Sequence, residues 1–172
     1  YSWACETPLS NFETQLDNSY RERADKSVTI LFNLLEKPKF IDGEFDNYQI
    51  SAWTTTPWTL PSNLALAVGS EMEYVCVKHK NDCVVIAEFA LEAYKKELKN
   101  ADSEFDIIAK VKGSDLVGLK YKPLFDYFAN HENAFVVLSA EFVEEGSGTG
   151  IVHMAPGFGE DDQILCAEHN IE

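Results

Sequence analysis

The chain has 172 residues, 45% of them hydrophobic and 12% aromatic, enough for one folded domain with a real core and too apolar for a disordered segment. Twenty-nine acidic residues against fourteen basic ones leave a net charge of −15, so electrostatics alone repels nucleic acid and anionic membrane. Cys5, Cys76, Cys83 and Cys166 lack the paired spacing of a zinc ribbon or redox motif, nothing resembles a signal peptide, and no apolar run reaches the roughly 18 residues of a membrane span. The expected compartment is the cytoplasm, with no membrane partner.

Residues 1–25 mix polar, aromatic and charged types without periodicity and read as a connecting segment that packs against a body formed by residues 26–172. The chain opens on Tyr1 and closes inside a predicted helix, as expected of a fragment of a longer protein. Lys26 to Leu35 is rich in β-branched and apolar residues and predicts a strand. Lys37 to Asp46, with Pro38 and Gly43, predicts a loop, and Tyr48 to Thr55 a second strand. Leu64 to Val68 is a short apolar strand, and Glu73 to His79 with Cys83 to Ala87 predicts a hairpin around Lys80-Asn-Asp82.

Glu88 to Leu98 has near-helical apolar spacing with Lys95, Lys96 and Lys99 toward its end, where cations suit a helix C-terminus; this predicts one amphipathic surface helix. Phe105 to Val111 alternates as a half-buried strand, Gly113 to Phe125 reads as a turn and a short strand, and Ala134 to Ser139 as a compact β run. His131 reads as an exposed loop residue. A helix begins near Glu160 and runs through Ile164 to His169. Seven or eight short strands with one or two surface helices predict a β-rich α+β domain, barrel-like and closed or partly closed.

Two stretches stand apart. Trp53-Thr-Thr-Thr-Pro-Trp-Thr-Leu-Pro-Ser-Asn63 lies in a window without charge, from Asn47 to Ser70. The hydroxyls of Thr54, Thr55, Thr56 and Thr59 and the amide of Asn63 supply neutral donors and acceptors, while Pro57 and Pro61 oppose a regular helix. Such a loop suits an uncharged polar pocket; a Thr-rich strand entering a turn, with Trp53 and Trp58 as core aromatics, explains the same residues.

The second stretch is Gly148-Thr-Gly-Ile-Val-His-Met-Ala-Pro-Gly-Phe-Gly-Glu-Asp-Asp162. Gly146, Gly148 and Gly150 are not followed by a Lys-Ser or Lys-Thr pair or by a helix start, so they fit close backbone approach better than a phosphate cradle. Helix capping needs only one of Glu160, Asp161 and Asp162, which leaves a carboxylate free to pair with a substrate ammonium. His153 and His169 lack metal-ligand spacing, so no metal is expected.

With both stretches in hand, the chain resembles the editing domain of isoleucyl-tRNA synthetase, the connective insertion in that enzyme's catalytic domain. Trp53 to Asn63 looks like the family's threonine-rich motif, and Gly148 to Asp162 like its second motif, ending in the acid that binds the substrate's α-amino group. Gly113 to Phe125 and Cys5-Glu-Thr-Pro-Leu-Ser-Asn11 are family-like as well. Valyl and leucyl relatives carry Thr-Thr-Arg-Pro followed by an acid, where this chain has Thr56 and Trp58, and usually His where it has Phe158.

The resemblance implies hydrolysis of valyl-tRNA charged on the isoleucine tRNA, and of valyl-adenylate, without a cofactor. Asp162, Thr54, Thr55 and Thr56 would act at the reacting centre, and Trp53, Trp58, Asn63, His153 and Asp162 would bind substrate. The implied partners are the aminoacylated tRNA 3′ end, valyl-adenylate and the remainder of the synthetase. The H-I-G-H and K-M-S-K-S motifs of amino acid activation are absent, so no synthetic activity is expected. A valyl- or leucyl-type editing domain and a non-catalytic module binding aminoacyl ends or a partner remain the alternatives.

Overall fold

The computed structural model describes residues 1–16, 24, 26–98, 106–146 and 148–171. Most of the second half of the predicted connecting segment, Lys99, Phe105, Ser147 and Glu172 lie outside the described residues.

Among the described residues eight strands form one sheet: β1 Val28–Asn33, β2 Tyr48–Thr54, β3 Ala65–Val68, β4 Glu73–His79, β5 Asp82–Ala87, β6 Ile107–Lys112, β7 Val136–Ser139 and β8 Ile151–Met154. Their order is β6-β4-β5-β2-β8-β3-β7, with β1 also paired to β2. β2 is the branch point. One of its edges carries β1 in full antiparallel register; the other carries β5 from Tyr48 to Ile50 and then β8, where Trp53 faces Val152.

The sheet closes through a segment that is barely a strand. Gly118 N donates to Val137 O and Tyr121 N to Phe135 O on the β7 side, while Leu35 N donates to Lys120 O and Lys122 N to Asn33 O on the β1 side. Residues 118–122 therefore join β7 to the end of β1, and the barrel-like expectation is met. The core lies inside this curl, around Phe32, Ile50, Leu66, Tyr121 and Met154.

The β4–β5 hairpin explains its own unbroken apolar sequence. Cys76, Cys83, Val85 and Ala87 face the main core, whereas Val75, Val77, Val84 and Ile86 face outward beneath Ala90, Leu91 and Leu98. Both faces are buried, so the polar alternation of a half-exposed strand is lost. The covering segment is not the single helix expected from its spacing. It is a 3-10 turn at Glu88–Ala90 followed by a short α-helix at Lys95–Leu98, because its backbone bonds mix i−3 and i−4 partners while Ala90 and Leu91, adjacent in sequence, both settle on the sheet.

Residues 1–16 are almost wholly exposed and organise locally. A Ser2–Thr7 bridge precedes a helical turn, Asn11–Thr14, whose start is closed by reciprocal bonds between Ser10 and Glu13. Gly113–Leu116 forms another single turn, and the one longer helix among the described residues is Glu160–Glu168. β8, absent from the sequence-based expectation, lies at the middle of the sheet.

Candidate functional site

At the seam where β2 leaves β5 and takes up β8, the chain encloses a cavity of about 620 Å³. Its walls are the end of β2 with the following 3-10 helix Pro57–Ser62, strand β8, and the turn into the helix Glu160–Glu168. The two stretches singled out by sequence thus meet, 85 residues and more apart in the chain but joined by one strand pairing at Trp53 and Val152.

Two glycines set this junction. Gly148 has φ +62, and a Cβ there would fall 2.8 Å from the Trp53 ring; Gly150 has φ +72 and sits tightly against Ala87. Both need left-handed backbone and the absence of a side chain. Between them Thr149, fully buried, donates to Ser51 O at 2.7 Å while its carbonyl accepts from Ala87 N. The glycines therefore serve backbone approach, as their sequence context suggested.

The threonines hold one another. Thr56 N donates to Thr54 Oγ1 at 3.1 Å, and the two hydroxyls lie 3.3 Å apart. Thr59 Oγ1 donates to Thr56 O at 2.9 Å and lies 2.9 Å from His153 Nε2. Thr54 and Thr59 are buried, while Thr55 and Thr56 reach the open side of the cavity. Trp53 is a half-buried wall. Trp58 is 71% exposed and stands at the rim, so the reading of both tryptophans as core aromatics is set aside.

His153 lines the cavity on β8 and is buried. Burial lowers its pKa to about 4, so the ring is neutral at pH 7. The partners assign the tautomer: Asn63 Nδ2 donates to Nδ1 at 2.9 Å, leaving the ring proton on Nε2, directed at Thr59. Both ring nitrogens are engaged, and neither is free to take a proton from water.

Asn63, expected to bind substrate, does not reach the cavity. Its amide nitrogen donates to Ala65 O and His153 Nδ1, and its oxygen accepts from the Tyr121 hydroxyl at 2.8 Å. All the hydrogen-bonding capacity that placed it in the site is used behind the wall. That expectation is corrected: Asn63 supports His153 from below.

Asp162 lines the cavity from the helix that closes it. It stands in the first turn of the terminal helix, yet Gly159 caps that helix without a side-chain bond. Asp162 Oδ2 instead accepts from Ala155 N at 2.7 Å across the turn, and the carboxylate lines the cavity. Burial raises its pKa, the Ala155 N–H opposes this, and neighbouring Asp161 adds to the rise. An ammonium group placed beside it would reverse that shift.

Glu144 and Glu145 add negative charge to the lining, and among the described residues the lining holds no Lys or Arg. Cys166, buried on the same helix, has its thiol pushed up to about 11 by burial and by the charge of Asp162, so it offers no thiolate nucleophile. His169 lies on the exposed helix end with Nδ1 bonded to Leu165 O. Among the described residues no group of three or more His, Cys, Asp or Glu could hold a metal ion, and no helix is long and apolar enough to cross a membrane.

Sequence reasoning did not single out Phe142, Glu144, Glu145 or Thr149 as lining, nor Tyr121 as a support. Thr149 could have been found from its place between the two glycines. Nothing in the sequence distinguishes Tyr121 from an ordinary core aromatic.

No family model matches the chain. It is 61% identical over 173 residues to isoleucine–tRNA ligase of Rickettsia peacockii (strain Rustic) and equally to that of Rickettsia africae (strain ESF-5), covering 100% of this chain and 16% of each relative. The ligase of Rickettsia felis is 58% identical over 183 residues. The chain thus spans 16% of the length of the curated relatives it matches.

Among solved structures, the crystal structure of GlLeuRS-CP1 superposes with a TM-score of 0.64 at 19% identity, covering 86% of this chain and 66% of that one. The P. falciparum cytosolic leucyl-tRNA synthetase editing domain with insertions 1 and 3 deleted superposes at 0.62 with 12% identity, covering 86% and 71%. These likenesses show the fold, which is that of a synthetase editing domain.

Proposed function

We propose that this chain, which aligns along its whole length with part of isoleucine–tRNA ligase and carries the editing-domain fold, is a hydrolytic proofreading module that removes valine from mischarged isoleucine tRNA and from valyl-adenylate. The observation that carries this reading is the Asp162 carboxylate, held at one oxygen by Ala155 N and set in a cavity that threonine hydroxyls and aromatic rings share with the acidic Glu144 and Glu145. It fits the ammonium of an aminoacyl ester.

With the ammonium on Asp162, the aliphatic side chain points at a wall formed by Trp53, Trp58 and His153, and the ester lies against Thr54, Thr55 and Thr56. Water adds to the ester carbonyl, the bond to the ribose oxygen breaks, and that oxygen leaves with a proton. His153 has no free nitrogen and Cys166 no thiolate, so catalysis rests on positioning a water, helped by the terminal ribose hydroxyl of the substrate. A fixed wall separates valine from isoleucine by exclusion of one methylene. The isoleucine–valine pair is the standard example of double-sieve editing.

The acidic balance of the chain fits a module that grips only the aminoacylated end while the remainder of the synthetase, in the cytoplasm, holds the tRNA. Thermal-shift titration with a nonhydrolysable valyl-adenosine analogue, against leucyl and threonyl analogues, tests the reading. A shift confined to the valyl analogue supports it. A leucyl preference points to leucyl-type editing, and no shift with any analogue points to a binding module.

A further inference from the structure

The wall residue His153 is held by a relay that begins on the far side of the barrel core. Tyr121 is fully buried, with its ring edge-on to Phe32 at 5.1 Å and to Phe135 at 5.9 Å. It belongs to the segment that joins β7 to β1, and it lines no part of the cavity. Packing alone would accept phenylalanine here. The hydroxyl, taken out of water, donates at 2.8 Å to Asn63 Oδ1, and together with Ala65 O and Met154 O, which accept from Nδ2 at 2.9 and 3.4 Å, it holds the end of that amide that faces His153.

We infer that Tyr121 is a positioning residue for substrate discrimination: through Asn63 its hydroxyl holds His153 as the Nε2–H tautomer with the ring locked against Thr59. Each bond in the relay constrains the next. With Oδ1 engaged by Tyr121, the amide presents N–H to Nδ1 at 2.9 Å and to Ala65 O at 2.9 Å. An imidazole that accepts at Nδ1 carries its proton on Nε2, and Thr59, whose own proton goes to Thr56 O, accepts it at 2.9 Å. The relay thus sets not only the place of the ring but which atom it shows to the threonine loop. Its consequence for discrimination rests on the editing reading above; the tautomer does not.

The test is ¹⁵N NMR of the imidazole in the 172-residue chain at neutral pH for wild type, Tyr121→Phe and a core control, Leu116→Ala, with hydrolysis of valyl and isoleucyl esters measured on the same proteins. Wild type and Leu116→Ala should show a protonated Nε2 and a bare Nδ1. Tyr121→Phe leaves Oδ1 without its donor and the amide held only by the bonds of Nδ2 to Ala65 O and Met154 O, so a share of protonated Nδ1 should appear, and the preference for valyl over isoleucyl ester should fall several-fold while the control keeps it.

A Tyr121→Phe protein with the wild-type tautomer and preference would reduce Tyr121 to a core residue. If that variant does not fold, the Tyr121 hydroxyl proton of wild type decides: slow exchange with contacts to the Asn63 amide supports the relay, and rapid exchange overturns it. A tautomer change in a chain that hydrolyses neither ester keeps the relay and removes the editing reading instead.

Discussion

Thr59 Oγ1 and His153 Nε2 lie 2.9 Å apart although 94 residues separate them in the chain. This bond ties the threonine loop to the central strand of the sheet, and it is buried. Replacing Thr59 by Val keeps the shape and removes the acceptor, leaving the imidazole N–H without a partner. The expected loss is about 1–3 kcal/mol, read as a lower urea midpoint at unchanged slope. Thr59→Ser should retain most of the stability, and an unchanged midpoint for Thr59→Val would dissolve the link.

His153 also makes stability depend on pH. Its folded pKa is about 4, below the ordinary 6.5, because burial disfavours the charged ring. The unfolded chain therefore binds a proton near pH 6.5 that the folded chain refuses until about pH 4. This contribution is fully present above pH 6.5 and is lost as pH falls from 6.5 toward 4, by roughly 3 kcal/mol at most. Denaturation across that window should show the slope in wild type and a shallower one in His153→Gln. Equal slopes would place the titration elsewhere.

Gly148 and Gly146 both have positive φ, +62 and +128, but only Gly148 faces a ring that a Cβ would strike. Alanine at either position strains the backbone by about 1–3 kcal/mol. Only Gly148→Ala should displace Trp53, so it should weaken binding of a valyl-adenosine analogue while Gly146→Ala leaves affinity intact. Equal effects of the two would mean that Trp53 does not shape the pocket.

Trp58, at the rim and largely exposed, buries too little to matter for folding. Trp58→Ala should change stability by no more than about 0.5 kcal/mol while raising KM for the valyl ester. A drop of several kcal/mol would return it to the core.

The sequence carried the β-rich fold and most strand positions, because apolar alternation and turn residues are local signals; the meeting of the two motifs is implied only by the family resemblance. β8 is hidden: Ile151–Met154 is four residues long, buried apart from the half-buried Val152, and framed by Gly150 and Pro156, so it reads as part of a glycine motif. The segment Glu88–Leu98 shows the reverse error, where helical spacing survives but docking onto the hairpin breaks the helix. Asn63 reads in the sequence as a neutral amide suited to the pocket, and in the structure it lies behind the wall against His153. Its partner Tyr121 lies 58 residues later, and no local pattern records that contact.

The central claim is that Asp162 receives the substrate ammonium in a pocket that admits valine and refuses isoleucine. The most direct measurement is deacylation of valyl-tRNA for isoleucine by the synthetase carrying this chain, wild type against Asp162→Ala, with isoleucyl-tRNA as control. Wild type should release valine and leave isoleucine in place, and Asp162→Ala should lose most of the valine release. Unchanged valine release by Asp162→Ala would leave Asp162 a tie for the turn at Ala155 and contradict the account.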